Sequence, residues 1–346
     1  MRVLIIKPSS LGDIVHTLPV ARVLRTRFPD AEIHWLINDS FLRFGGLFKD
    51  VDRLIPFRRK EWAKPQKLGD FFRFLRELRN TEYDLVLDFQ GLFRSGLCAL
   101  AAGGETWGFK EARELAPLSY RHRVKIPSHI RHAVEKNLYL LSAALGESCR
   151  YESPRLGKDG EAAAAAEELR SSLGMQGRLI AIGPMSRWPS KSWPPAFFAK
   201  TLLHVLANSA DDVHAWLLGA PEERDVGEEI LSACGHPRLH NLMGRTSLPA
   251  MIELLRTSSL MLTNDSGPMH IAASLELPTV ALFGPTDPTL TGPYGDRHRV
   301  FQSKVDCAPC FQRLCPLPRQ LCRDDVISPE AVGSFMVEQL RIQSNV

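Results

Sequence analysis

The chain has 346 residues, 44% of them hydrophobic and 24% charged, with a formal net charge of +4. These are the proportions of a globular protein of two ordinary domains, and no stretch approaches the roughly 18 uninterrupted apolar residues of a membrane span. Only four apolar residues, Val3 to Ile6, precede Lys7, so the start of the chain lacks the apolar core of a secretory signal and predicts a mature chain beginning at Met1 in the cytoplasm.

"RVLIIK" (2–7) reads as a buried strand, and "IVHTLPVARVLRTRF" (14–28) places Ile14, Leu18, Ala21 and Leu24 at helical spacing before Pro29 and Asp30 stop it. Between them, "PSSLGD" is a strand-to-helix turn. Asp13 there suits either a helix N-cap or a functional carboxylate, and Gly12 permits a positive φ or a close approach to a ligand. "AEIHWLIN" (31–38), "VDRLIPF" (51–57), "YDLVLDFQG" (83–91) and "TWGF" (106–109) are further strands, and "LGDFFRFLRELRN" a helix between two of them. "HAVEKNLYLLSAALG" (132–146) is a helix ending on Gly146, followed by a polar linker without period. The domain boundary is placed there, at 153/154.

The second half repeats the scheme. Strands are predicted at 178–184, 213–220, 238–244, 260–265, 278–284 and 298–303, with "PPAFFAKTLLHVLANS" and "SLPAMIELLRTSS" the plainest helices. Strands alternating with helices predict an α/β fold of two Rossmann-like domains with parallel sheets, whose ligand sites lie at the carboxyl ends of the strands. Two such domains facing each other would form a cleft.

Charge is unevenly divided. Residues 1–150 hold 25 Lys and Arg against 17 Asp and Glu, leaving 18 against 22 for the remainder. Arg53 to Arg79 carries nine basic and three acidic residues among aromatics. It reads as a solvated helix face or as a patch for anionic lipid or a phosphorylated partner.

Three groups of residues carry chemistry in the second half. "GPMSRWPSKSWP" (183–194) lies between a strand and a helix, where Ser186, Arg187, Ser190 and Lys191 suit a diphosphate, although the glycine spacing of a P-loop is absent. "LTNDSGPMHIAASLELPTVALFGPTDP" (262–288) is a strand, a polar turn, a helix capped by Ser266 or Gly267 with His270 in its first turn, and a second strand closed by a second polar turn. Cys307, Cys310, Cys315 and Cys322 are spaced C-x2-C-x4-C-x6-C. Four thiolates satisfy tetrahedral zinc without an open position; an iron–sulfur cluster or free thiols are the alternatives, and disulfides are disfavoured in a reducing compartment.

Together, "KPSSLGDIVHTLP", "LDFQGLFRS", "SRWPSKSWP", "TNDSGPMHIAASLELPTVALFGPTDP" and "CAPCFQRLCPLPRQLC" resemble glycosyltransferase family 9, the lipopolysaccharide heptosyltransferases. The resemblance implies a GT-B architecture with the acceptor on the first domain and the nucleotide sugar on the second, the last helix packing back on the first. It implies inverting transfer of heptose from ADP-L-glycero-D-manno-heptose to the Kdo or heptose of a lipid A-linked inner core, with no metal in catalysis. By position, Asp13 resembles the general base; Lys191, with Ser186 and Arg187, the group that neutralises the departing diphosphate; Asp265, Ser266, Gly267 and His270 the donor turn; and Glu222 a carboxylate for ribose hydroxyls. On the acceptor side stand Ser10, Gly12, Arg58, Arg59, Lys60 and Gln90. The basic stretch then predicts docking at the cytoplasmic face of the inner membrane. "DVD" (50–52), which has the form of a metal-binding D-x-D motif, reads as a turn and capping pair. Competing readings are a GT-B enzyme for another nucleotide sugar, a 2-epimerase, and a zinc-containing nucleic-acid-binding protein. The last is disfavoured because the cysteines lie in the acidic half, away from the basic stretch.

Overall fold

A computed structural model describes residues 1–324 and 327–344. The chain divides into two compact units, Met1–Gly157 and Lys158–Val346. Each is built on one parallel six-stranded sheet.

In the first unit the strands are β1 (Arg2–Ile6), β2 (Glu32–Asn38), β3 (Arg53–Phe57), β4 (Leu85–Asp88), β5 (Glu105–Phe109) and β6 (His122–Val124), in the spatial order β3-β2-β1-β4-β5-β6. Val3 to Ile6 and Ile33 to Ile37, with only His34 polar among them, are all but inaccessible to solvent, as strands covered on both faces must be. One side of this sheet packs Leu4, Ile6, Leu36 and Val86 against Phe74 and Leu78. Those two come from the buried stripe of a helix at Leu68–Asn80, which falls where its period predicts. The helix Ala133–Leu145 also ends as expected, on Gly146 in the left-handed region (φ 70°).

The single helix expected over 14–28 is two. Helix α1 (Leu11–Val15) and helix α2 (Leu18–Arg27) are separated by His16 and Thr17. Pro19 has no N–H to return to the Val15 carbonyl, and its ring would crowd that oxygen, so the helix restarts with Pro19 in its first turn. Thr17 Oγ1 donates to the Asp13 carbonyl at 2.8 Å, and Asn137 Nδ2 donates to the His16 carbonyl and Thr17 Oγ1, both at 3.1 Å. Asp50 and Asp52 of the "DVD" turn are engaged structurally. They pair with Arg22 at 3.4 Å and Arg25 at 2.6 Å, and Asp52 also accepts from Ile33 N at 2.7 Å.

The second unit has strands β7 (Arg178–Gly183), β8 (Val213–Leu217), β9 (Leu239–Asn241), β10 (Ser258–Asn264), β11 (Thr279–Phe283) and β12 (Arg299–Gln302), ordered β12-β11-β10-β7-β8-β9. Its core joins Ile180, Ile182 and Leu262 to Phe198, Leu202 and Leu206 of the helix Pro195–Asn208. The last helix, Pro329–Ser344, adds Val332, Met336 and Leu340 to this same core. Numbered within its own unit, each sheet has the strand order 3-2-1-4-5-6. Crossovers leave in opposite directions from strands 1 and 4, and ligands of open parallel sheets bind beside that reversal.

Candidate active site

In the first unit the reversal falls between β1 and β4, so the turn after β1 lies beside the turn after β4. Ser10, not Asp13, is the N-cap of α1, and Gly12 and Asp13 both lie within the helix. Asp13 Oδ2 accepts from the Ser10 amide and the Ser10 hydroxyl, each at 2.8 Å, and Lys7 Nζ stands 3.7 Å from Oδ1. The carboxylate side chain is nevertheless 44% exposed. Burial raises its pKa, but Lys7, the two Ser10 hydrogen bonds and His16 outweigh it and hold the group below the usual carboxylate value. Asp13 is thus an ionised carboxylate held through Oδ2 by Ser10, with Oδ1 facing Lys7 and part of the group open to solvent.

The neighbouring turn is organised by Asp88, a residue for which sequence reading assigned no role. Fully buried, it accepts from Gln90 N at 2.8 Å, Gly91 N at 3.1 Å and the Tyr120 hydroxyl at 2.7 Å. Burial pushes its pKa up. Its signal was the aspartate ending an apolar strand in "LVLDFQG". Lys7 Nζ also donates to the Phe89 carbonyl at 2.9 Å, tying the two turns together.

A cavity of about 630 Å³ opens beside these turns, lined by Ser9, Asn38, Arg59, Lys60, Gln90 and Arg94 among others. Its cations suit an anionic ligand. Three predicted acceptor-side residues therefore gather in one place. Arg58 does not line this cavity and forms an exposed pair with Glu61 at 3.8 Å.

In the second unit the reversal lies between β7 and β10, and it brings together the turn carrying Lys191 and the turn carrying Asp265. Lys191 Nζ and Asp265 Oδ2 are 2.6 Å apart, with side chains 16% and 5% exposed. Thr286 Oγ1 donates to the same Asp265 oxygen at 2.7 Å, and Ser186 Oγ donates to the Asp265 carbonyl at 2.8 Å. Lys191 Nζ also sits 4.6 Å from the centre of the Trp188 ring. Asn264 fastens the two turns, donating from Nδ2 to the Pro184 carbonyl at 2.6 Å and accepting Trp193 N on Oδ1 at 3.2 Å. Thr286, Trp188 and Asn264 lay inside motifs quoted from the sequence, but nothing in one dimension showed that they meet.

Ser266 is the N-cap of the helix Gly267–Ser274, with Pro268 in its first turn, and His270 is buried within it. Arg187 is exposed. Glu222 is exposed in the short turn after β8, one strand from the reversal, whereas Glu223 Oε2 is occupied by Ala220 N at 2.8 Å.

Of the four cysteines, Cys307 and Cys310 are exposed, Cys315 is half-buried and Cys322 is buried, all as free thiols. Burial raises the Cys322 pKa, and the electrostatic effect of the other three adds to it. As they stand, no three His, Cys, Asp or Glu side chains among the described residues are arranged to hold a metal ion.

The sequence profile of glycosyltransferase family 9 (heptosyltransferase) matches residues 71–320. Lipopolysaccharide heptosyltransferase 1 of Pseudomonas aeruginosa is 30% identical over 91% of this chain and 87% of that protein. Lipopolysaccharide heptosyltransferase 2 of Salmonella typhimurium is 27% identical over 87% of this chain and 88% of that protein. Among solved structures, E. coli heptosyltransferase WaaC with ADP-2-deoxy-2-fluoro heptose superposes with a TM-score of 0.74 at 26% identity, covering 98% of this chain and 99% of that one. With two Rossmann-like units, a profile match over most of its length and relatives up to 30% identical along it, the chain belongs to glycosyltransferase family 9, the heptosyltransferases.

Proposed function

We propose that the chain is an inverting GT-B enzyme that transfers heptose from ADP-L-glycero-D-manno-heptose to the inner core of lipopolysaccharide. The observation that carries this reading is the Lys191–Asp265–Thr286 cluster at the strand reversal of the second unit. It is joined by a half-buried, ionised Asp13 at the equivalent place in the first. The WaaC structure that this chain resembles holds an ADP-heptose analogue.

Asp13 takes the proton of the acceptor hydroxyl as that oxygen bonds to the anomeric carbon. The bond from that carbon to the β-phosphate oxygen breaks, and ADP leaves with the electron pair. One displacement inverts the centre and requires one base and no covalent intermediate. Lys191 offsets the charge gathering on the departing diphosphate, and Glu222 accepts from the ribose hydroxyls. None of these steps uses a metal.

The acceptor's anionic groups bind in the cavity of Arg59, Lys60 and Arg94. No helix among the described residues is long and apolar enough to cross a membrane. Peripheral docking at the cytoplasmic face of the inner membrane is supported by Leu68 and Phe72, 50% and 65% exposed, beside Lys67 and Arg73. For the four cysteines, structural zinc rests on the donor set alone, and it would have to draw the thiols closer together. Metal analysis of protein made without a polyhistidine tag tests it, and stoichiometric absence of zinc and iron refutes it.

The decisive experiment is mass spectrometry of lipopolysaccharide from a strain lacking this protein, with transfer reconstituted from ADP-heptose. Loss of one inner-core heptose supports the reading and the truncation point names the acceptor; an intact core refutes it.

A further inference from the structure

The four-cysteine loop clasps the Lys191 turn. The Ser190 amide donates to the Arg313 carbonyl at 3.3 Å, and the Ser190 hydroxyl donates to the Gln312 carbonyl at 2.6 Å. Gln320 Nε2 donates to the Ser190 carbonyl, and the Phe311 amide donates to the Pro285 carbonyl at 2.8 Å, beside Thr286. The loop is thereby fastened to the Lys191 turn and to the turn after β11 that carries Thr286, whose hydroxyl donates to Asp265. It also delivers a side chain: the Arg313 guanidinium lies 5.5 Å from the centre of the Trp188 ring, the same ring that Lys191 approaches.

The charges give this placement a consequence. Asp265 lies 2.6 Å from Lys191 and offsets part of the charge that Lys191 can present to a diphosphate, so a dianionic group calls for a further cation beside it. Arg313 is exposed and, among the described residues, forms no ion pair with a carboxylate. Stacking on an indole holds a guanidinium in place while leaving its N–H edge available for bidentate contact with phosphate oxygens.

We propose that Arg313 is a second diphosphate-binding cation of the donor site, held against Trp188 by the four-cysteine loop and balancing the phosphate charge that the Lys191–Asp265 pair leaves uncompensated. This assignment rests on the reading of the second unit as the ADP-sugar site. It makes the loop part of the binding site and explains its hydrogen bonds to Ser190 and Pro285.

Calorimetric titration of the full chain with ADP and with adenosine tests it. Arg313→Met is expected to weaken ADP by about ten- to hundredfold, the range of a charge-assisted hydrogen bond, while adenosine changes less than about twofold. Trp188→Leu, which removes the platform, is expected to weaken ADP in the same direction, and Arg313→Lys to recover part of the loss. Unchanged ADP affinity in Arg313→Met, or equal loss of ADP and adenosine, overturns the assignment while the donor-site reading stands. Failure of the unaltered chain to bind ADP overturns both.

Discussion

Removing the charge of Lys191 tests whether the pair at the second strand reversal is a coupled unit. At 2.6 Å, with both groups largely withdrawn from water, an effective dielectric of ~20 gives an attraction of about 6 kcal/mol. Desolvating two ions opposes it by several kcal/mol, so the net contribution of the pair to stability is expected to be within about 1–2 kcal/mol of zero, while the coupling between the two groups, in which the desolvation costs cancel, is about 4–6 kcal/mol. Lys191→Met leaves Asp265 buried without its cation, facing the Thr286 hydroxyl, and should cost about 3–5 kcal/mol. Asp265→Asn leaves the ammonium against the Trp188 ring and should cost somewhat less, because that contact contributes about 1 kcal/mol. The double variant buries no charge here and should return to within about 1–2 kcal/mol of the unaltered chain. Urea unfolding followed by tryptophan fluorescence closes the cycle. Single-variant costs that add to within about 0.5 kcal/mol would refute the coupling. If the double variant is stable yet has lost ADP, binding and stability have been separated at one site.

Asp13→Asn should lower transfer by about 10²–10⁴-fold with ADP affinity unchanged, as read by parallel rate and calorimetric measurements; loss of ADP binding would remove Asp13 from the role of base. Because its folded pKa is depressed, the stability Asp13 contributes is present above the ordinary value of 3.8 and is lost as pH falls through the folded value. The acid limb of the rate profile should accordingly show no inflection from this group above 3.8, and one that disappears in Asp13→Asn would contradict the geometry. Gly108→Ala would place a Cβ 2.3 Å from the Tyr120 ring, so Tyr120 must leave its bond to Asp88; a loss of about 1–3 kcal/mol in chemical denaturation is expected. Asp88 has a raised pKa, which favours the folded state at low pH and loses that contribution as pH rises through the folded value. Asp88→Asn, which keeps an acceptor for Gln90 and Gly91 without the charge, should stay within about 1 kcal/mol of the unaltered chain, and Asp88→Ala should lose about 2–4 kcal/mol.

The one-dimensional pattern determined each local unit. The apolar run of Val3 to Ile6, the stripe ending in Phe74 and Leu78, and Gly146 after its helix each act through neighbours within a few residues. The turns after strands could therefore be recognised as places for ligands. Where a local rule competed, the reading erred: helical spacing ran through Pro19, but the missing N–H divided the helix, and the cap fell to Ser10 three residues ahead of Asp13.

Which turns meet was decided by the tertiary structure. Crossovers place β1 beside β4 and β7 beside β10, bringing Lys191 to Asp265 across 74 positions, and the loop after β12 folds back to bring Arg313 to Trp188 across 125. A parallel strand finds its partner only after a helix has packed back over the sheet, so its pairing depends on long-range burial and handedness. The residue types were chosen locally, and their chemistry emerged where the two sheets reverse.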